Sequence, residues 1–236
     1  MTVYGISKKG PYREENQDAI LIRETGRSGL FIVADGVGGA ANGAEVSRFI
    51  VGSYDSWWNE VFLENQEDSF QALFEHIKAR GNEINQDVCQ TYGAGNSAPT
   101  IVLLFIHKGI GGYLSAGDSR IYRSNRSGTR LITRDDVWEN RPGADQRSVH
   151  SGKIISAVGS CEEFEYSCAT DRVHMRDVFM LCSDGIYKYV EEPFLAEILA
   201  KGRKGWLFDR DVMEKIVKRA VERDTKDNYS IITIRL

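Results

Sequence analysis

The sequence lacks the features that mark membrane-spanning, secreted and multidomain proteins. Only four of its 236 residues are proline, and no Pro-, Ser- or Gly-rich stretch offers a linker between domains. No apolar run approaches the roughly eighteen residues needed to span a bilayer, and the first residues lack the apolar segment of a secretory signal. We therefore expect a single domain over residues 1–236, monomeric and cytoplasmic, with no membrane contact.

Cysteine and histidine are too few and too scattered to build a zinc site. No two of the four cysteines show C-x-x-C spacing, and the four histidines stand singly. A chain of this length does not need disulfides, so the cysteines are predicted to be reduced thiols and the histidines to be surface or loop residues. The residues concerned are Cys89, Cys161, Cys168, Cys182, His76, His107, His150 and His174.

A surplus of positive charge is also missing. The net charge is −4 and no basic run is present, which argues against nucleic acid as a partner. What the sequence does have is ordinary globular composition, with 42% hydrophobic and 27% charged residues, enough for one sizeable core.

Short apolar runs of β type dominate both halves of the chain, and two pairs of segments with helical periodicity interrupt them. Strands are predicted at residues 2–6, 18–22, 29–34, 100–106, 112–116, 120–123, 130–133, 178–183 and 229–234. Helices are predicted at residues 46–57, 70–88, 192–200 and 211–223, with Phe49 and Val221 among their apolar positions. This order indicates an α+β fold in which two antiparallel sheets face each other and helix pairs cover the outer faces.

Aspartates mark the ends of these predicted strands. Asp35 and Asp184 each follow an apolar strand and precede a glycine, Asp118 ends another strand, and Asp227 opens the last one. Each Asp-Gly alone is typical of a turn. Together, however, carboxylates fixed at strand ends supply the oxygen ligands that Mg²⁺ and Mn²⁺ prefer. The pattern predicts an oxygen-ligated metal site.

Five short motifs carry a resemblance to a known family. They are R-E-E-N-Q-D at residues 13–18, V-A-D-G-V-G-G at 33–39, S-A-G-D-S-R-I-Y-R at 115–123, L-C-S-D-G at 181–185 and D-N-Y-S at 227–230. In this order, the sequence resembles the PPM family, the type 2C metal-dependent Ser/Thr protein phosphatases, in its bacterial form. The resemblance implies a four-layer α/β/β/α sandwich.

The resemblance also implies how the metal ions are held. Asp35 would bridge two ions, Mn²⁺ or Mg²⁺, and the carbonyl of Gly36 would bind one of them. Asp184 and Asp227 would complete the shell of the other.

Three further positions gain roles from the same resemblance. Asp118 with Asp184 would hold a third, weaker ion, and Asp18 would act through metal-bound water. Arg13 would bind the substrate phosphate, for which a guanidinium fork is well shaped.

The implied reaction is hydrolysis of phosphoserine and phosphothreonine by a water that bridges the metal ions. Its partners would be phosphorylated proteins, the targets of a Ser/Thr kinase. Two alternatives remain open: a catalytically idle module that binds phosphoproteins, and a phosphohydrolase of small phosphorylated metabolites.

The chain departs from the family pattern at three places. Val37 stands where many eukaryotic members carry a histidine, and residues 96–100 replace the usual Gly-Thr-Thr. Asp136 also replaces a histidine, at the start of a polar flap at residues 134–153 that is shorter than is typical. A long loop in a compact domain is usually functional or disordered, so the flap is predicted to select the substrate.

Overall fold

The computed structural model describes residues 1–36, 42–140, 152–207 and 209–236. Two five-stranded antiparallel sheets form its centre. The first contains, in spatial order, β1 (Thr2–Lys8), β10 (Tyr229–Arg235), β9 (Val178–Cys182), β6 (Arg120–Asn125) and β7 (Gly128–Leu131). The second contains β2 (Asp18–Thr25), β3 (Ser28–Asp35), β4 (Thr100–His107), β5 (Ile110–Ala116) and β8 (Ser167–Arg172).

Helices cover the outer face of each sheet. The helices are α1 (Gly43–Trp57), α2 (Phe70–Tyr92), α3 (Asp184–Tyr187), α4 (Glu192–Lys204) and α5 (Asp209–Glu222). A π-helical turn, Trp58–Phe62, extends α1, and a 3₁₀ turn covers Trp138–Asn140. Apolar side chains of α1 and α2 form one core with the second sheet, and those of α4 and α5 form another with the first. None of the helices in the described part of the chain has the length and apolar composition needed to cross a bilayer.

Strand β3 shows why four layers form. Its side chains alternate between two cores, so Leu30 and Ile32 face α1 and α2 while Phe31 and Val33 enter the space between the sheets. A strand that is apolar on both faces needs a partner on each side, and the first sheet and the helices provide them. The predicted α/β/β/α sandwich is confirmed.

Strand β8 was not predicted from the sequence. It pairs with β5 at the edge of the second sheet, and five of its six residues are exposed. Because only one face and one edge of such a strand contact the protein, its sequence, SCATDR, shows no apolar alternation.

Two helical positions and one histidine were assigned to the wrong environment. Phe49 and Val221 were predicted on buried helix faces, yet they are 40% and 52% exposed. Each lies at the margin of its helix's apolar stripe, and in α5 the buried stripe includes Met213 and Ala220 instead. His107, predicted as a surface or loop residue, is buried in β4, where its ring bonds the Ser28 hydroxyl at 2.8 Å.

The predicted flap is described only at its two ends. Val37 and residues 141–151 lie outside the described residues. At the flap's base, Val137 forms a bridge with Ile154, and the amide of Asp136 donates to the carbonyl of Gly117 at 2.8 Å. The described flanks of the flap are therefore attached to the loop that carries Asp118.

Candidate metal centre

At one end of the second sheet two aspartates face each other. Asp18 opens β2 and Asp35 closes β3, and the two are paired directly across the antiparallel ladder. Asp35 is also paired with Thr100 at the start of β4, whose hydroxyl bonds Ser119, the neighbour of Asp118, at 2.7 Å. The sheet register thus places three of the predicted ligands at the same end of the fold.

A serine joins this end of the second sheet to the first. The Ser183 hydroxyl follows β9, donates to Asp18 at 2.8 Å, and accepts the amide of Ser230 at 2.9 Å. Asp184 comes next in the chain, at the first position of α3 rather than within the strand. Ser183 was not predicted from the sequence as a site residue, although its place inside L-C-S-D-G was the available signal.

Glycines beside the aspartates allow the backbone to come very close. A Cβ on Gly36 would lie 2.8 Å from the Gln17 carbonyl oxygen, and a Cβ on Gly185 would lie 2.0 Å from that of Asn228. Any side chain at either position would push apart the segments that carry the carboxylates. Both Asp-Gly pairs are therefore packing requirements of the site.

A lysine and a tyrosine contact the carboxylates that follow β5 and β9. The Lys188 ammonium lies 2.7 Å from Asp184 and 3.5 Å from Asp118, and the Tyr187 hydroxyl donates to Asp118 at 2.9 Å. Both residues lie at the end of α3, so Lys188 faces Asp184 from one turn away. Neither residue was identified from the sequence.

Arg13 contacts Asp227 from the opposite end of the chain. Its Nε donates to one carboxylate oxygen at 2.7 Å, and its Nη2 donates to the other. This bidentate pair is only partly buried. Arg13 was predicted to contact phosphate, and the structure places it beside a predicted metal ligand.

Burial and mutual repulsion make the carboxylates reluctant to ionise together. Burial raises the pKa of Asp18 to about 6, against hydrogen bonds from Ser230 and Ser183 that lower it. Burial, followed by the charges of Asp18, Asp184 and Asp118, holds the pKa of Asp35 well above its ordinary value. Burial also raises the pKa of Asp184, an effect that the Lys188 ammonium partly offsets.

The site contains five carboxylates, those of Asp18, Asp35, Asp118, Asp184 and Asp227. Together they suit divalent cations, which bind oxygen ligands. Among the described residues, two cationic side chains, Arg13 and Lys188, face them, so negative charge remains in excess there when all five ionise. One oxygen of Asp18, Oδ1, is buried and has no hydrogen-bond partner within the part of the chain that the structure describes, and a cation is a natural partner for it. As the side chains stand, no three His, Cys, Asp or Glu residues among the described ones already surround a single ion position.

Comparison with known proteins gives the same picture. The family model for protein phosphatase 2C matches residues 13–218, which is well over half of the chain. A Mycoplasma genitalium protein named as a protein phosphatase is 25% identical over 249 aligned residues, covering 98% of this chain and 94% of the relative.

Solved structures share the fold over nearly the whole chain. PppA, described as a key regulatory component of T6SS in Pseudomonas aeruginosa, is 27% identical with a TM-score of 0.81, covering 99% of this chain and 96% of that one. The Ser/Thr phosphatase Stp1 of Staphylococcus aureus is 20% identical with a TM-score of 0.83, covering 99% and 94%. With these matches and the carboxylate cluster together, the chain belongs to the protein phosphatase 2C family of metal-dependent protein-serine/threonine phosphatases.

Proposed function

We propose that this centre binds two divalent ions, Mn²⁺ or Mg²⁺, and hydrolyses phosphoserine and phosphothreonine in proteins. Asp35 and the Gly36 carbonyl would hold one side of the centre, with Asp184 and Asp227 on the other and Asp18 acting through water. The observation that carries the proposal is the facing pair Asp18 and Asp35, in which one buried oxygen of Asp18 lacks a hydrogen-bond partner among the described residues. Such a pair is costly unless a cation balances it.

The chain's residues and the ions would have different roles in catalysis. When bound, divalent ions supply Lewis acidity, which lowers the pKa of water and neutralises charge on phosphate oxygens. The carboxylates position that charge, and the sheet ends on which they lie keep the arrangement rigid. Phosphoryl transfer needs mainly such positioning and charge neutralisation.

Arg13 is proposed to bind the substrate phosphate while Asp227 orients it. The pair with Asp227 uses the Nε and Nη2 edge of the guanidinium, which leaves the Nη1 edge to face a phosphate. A planar, oriented guanidinium binds phosphate oxygens with little loss of side-chain entropy. This geometry reconciles the predicted phosphate role with the observed ion pair.

The partners proposed for the chain are phosphorylated proteins, the products of a Ser/Thr kinase. Family membership supports this class of substrate. We further propose that the chain acts as a single-domain monomer in the cytoplasm.

The decisive experiment measures phosphate release from phosphoserine and phosphothreonine peptides by metal-free protein, with and without added Mn²⁺. Release that requires Mn²⁺ and is lost in Asp35→Asn supports the proposal. Asp87→Asn, an exposed aspartate on α2, is the matched control and should behave as wild type.

The same assay separates the two alternatives. An idle binding module would bind phosphopeptide without releasing phosphate, with or without Mn²⁺. A metabolite phosphohydrolase would turn over small phosphate esters far faster than any phosphopeptide. Full phosphatase activity in excess chelator would contradict the metal centre itself.

A further inference from the structure

The ammonium of Lys188 lies between two carboxylates to which the resemblance assigns a third, weaker metal ion. Its Nζ is 2.7 Å from Asp184 and 3.5 Å from Asp118. The position follows from local geometry, because residues four apart on a helix share one face, and Lys188 follows Asp184 by four. The contact is thus built into α3.

Tyr187, the last residue of α3, also contacts Asp118. The Tyr187 hydroxyl donates to Asp118 Oδ2 at 2.9 Å, the same oxygen that faces Lys188. The guanidinium of Arg120 stacks on the Tyr187 ring, 3.8 Å from its centroid, and itself donates to Asp135 at 2.8 Å. This chain of contacts holds Tyr187 in place, so Asp118 already has two donors of this protein.

We propose that the Lys188 ammonium takes the place of the third ion, so that this chain binds two divalent ions rather than three. The inference rests on the two-ion centre proposed above. In it, Asp118 contacts Lys188 and Tyr187 instead of a metal ion. To enter, a third ion would have to displace Lys188 from Asp184 and Tyr187 from Asp118. It would also lie next to a positive charge, which repels it strongly at such short range.

Arg13 does not exclude an ion in the same way. It contacts a single carboxylate, Asp227, and its side chain comes from a different segment of the chain. Lys188 instead links both carboxylates of the third position, and it caps the helix that carries one of them. Among the described residues, the third position alone has one protein cation in contact with both of the expected ligands.

The test counts ions. Mn²⁺ is titrated into metal-free protein, and free Mn²⁺ is measured by its electron paramagnetic resonance signal, which gives the number and affinity of the sites without any substrate. We expect two ions on the wild type, two on Lys188→Arg, and three on Lys188→Met, with the third weaker than the other two. Asp118→Asn in the Lys188→Met background should remove the third ion, which locates it.

A matched control is available in α4. Lys201 pairs with Glu197 at the same four-residue spacing, remote from the site, so Lys201→Met should still bind two ions. Three ions on the wild type, or two on a folded Lys188→Met, would overturn the inference and leave the two-ion centre standing. Absence of bound Mn²⁺ from both would instead overturn the proposed centre, and the inference with it. Circular dichroism of each variant establishes that it is folded.

Discussion

Two groups of charged residues in this molecule contrast sharply in how their charges are balanced. Around Arg123, which is 4% exposed, the guanidinium donates to Asp177 at 2.6 Å, to Asp171 at 2.8 Å and to the Arg172 carbonyl. At the candidate metal centre, five carboxylates face two cations among the described residues, and a buried oxygen of Asp18 has no hydrogen-bond partner there. The charges around Arg123 are balanced by the protein's own residues, whereas the carboxylates of the candidate metal centre need a bound cation to balance them.

The contrast separates structural from functional charge. A buried ion pair whose donors and acceptors are all engaged has no capacity left for a ligand, however deeply it is buried. A cluster with unbalanced carboxylates has that capacity, and burial together with the neighbouring carboxylate charges raises the pKa values of Asp18 and Asp35. Substitutions in the Arg123 group should therefore change stability, whereas substitutions at the metal centre should change catalysis.

The largest effect is expected from Asp35→Asn. This substitution removes charge where the two sheets meet, so kcat for phosphopeptide should fall by at least about a hundredfold, as when other preorganised electrostatic groups are removed. The thermal midpoint of the metal-free protein should not fall, because one of two repelling carboxylates becomes neutral. A near-wild-type kcat would contradict the functional role given to the charge of Asp35.

The opposite pattern is expected from Asp177→Asn. It leaves the Arg123 guanidinium short of a buried partner, which should lower the free energy of unfolding by about 3 kcal/mol, the lower end for a broken buried pair. Asp171 still offsets part of the charge. Urea denaturation measures the loss, and the kcat of the remaining folded protein should match the wild type. Lost kcat with unchanged stability would assign the Arg123 group a catalytic role.

Without metal, the free energy of unfolding should depend on pH through the carboxyl group of Asp18. The folded pKa of Asp18 is about 6 and lies above the value of an unfolded aspartate, so the folded state binds more protons between the two. Asp18 should therefore stabilise the chelated protein most below pH 4. Its contribution to the free energy of unfolding should fall by on the order of 3 kcal/mol as pH rises to about 6.

Added Mn²⁺ should reverse this loss, because a bound cation favours the ionised carboxylates. Urea denaturation at a series of pH values, with chelator or with Mn²⁺, measures both curves. In Asp18→Asn the fall between pH 4 and 6 should be reduced in chelator. Identical curves for wild type and Asp18→Asn in chelator would contradict the raised pKa.

Arg13→Ala tests a smaller effect within the metal centre. Loss of the proposed charged hydrogen bond to phosphate should raise KM for phosphopeptide roughly tenfold or more, with a smaller fall in kcat, because bound substrate and transition state would both contact the guanidinium. Arg13→Lys should recover only part of the loss, since an ammonium cannot form two parallel bonds. Steady-state kinetics on phosphopeptide decide this, and an unchanged KM would remove Arg13 from the substrate site.

The smallest effect is expected at the buried thiol. Burial raises the pKa of Cys182, which keeps it protonated and a poor nucleophile. Cys182→Ser should leave kcat unchanged and cost about 1 to 3 kcal/mol of stability for a buried hydroxyl. Lost kcat in folded, metal-loaded protein would point to cysteine chemistry.

The sequence was most informative where local pattern determines structure. Apolar runs such as residues 29–34 located the strands, and the Asp-Gly pairs marked residues that the fold brings to one end. What local pattern could not show was the pairing between distant segments: Arg13 meets Asp227 across 214 positions, and Ser183 meets Asp18 across 165. The contact of Lys188 with Asp118 depends on tertiary packing in the same way.

The strand order has a consequence for protein synthesis. β10 lies between β1 and β9, so β1 joins its sheet only after the chain has been synthesised as far as Tyr229–Arg235. Until Tyr229–Arg235 has emerged, Arg13 has no Asp227 beside it and β1 has no neighbour to pair with. We therefore expect a nascent chain to stay inactive until Tyr229–Arg235 has emerged from the ribosome, because its first sheet and the Arg13–Asp227 contact form only then.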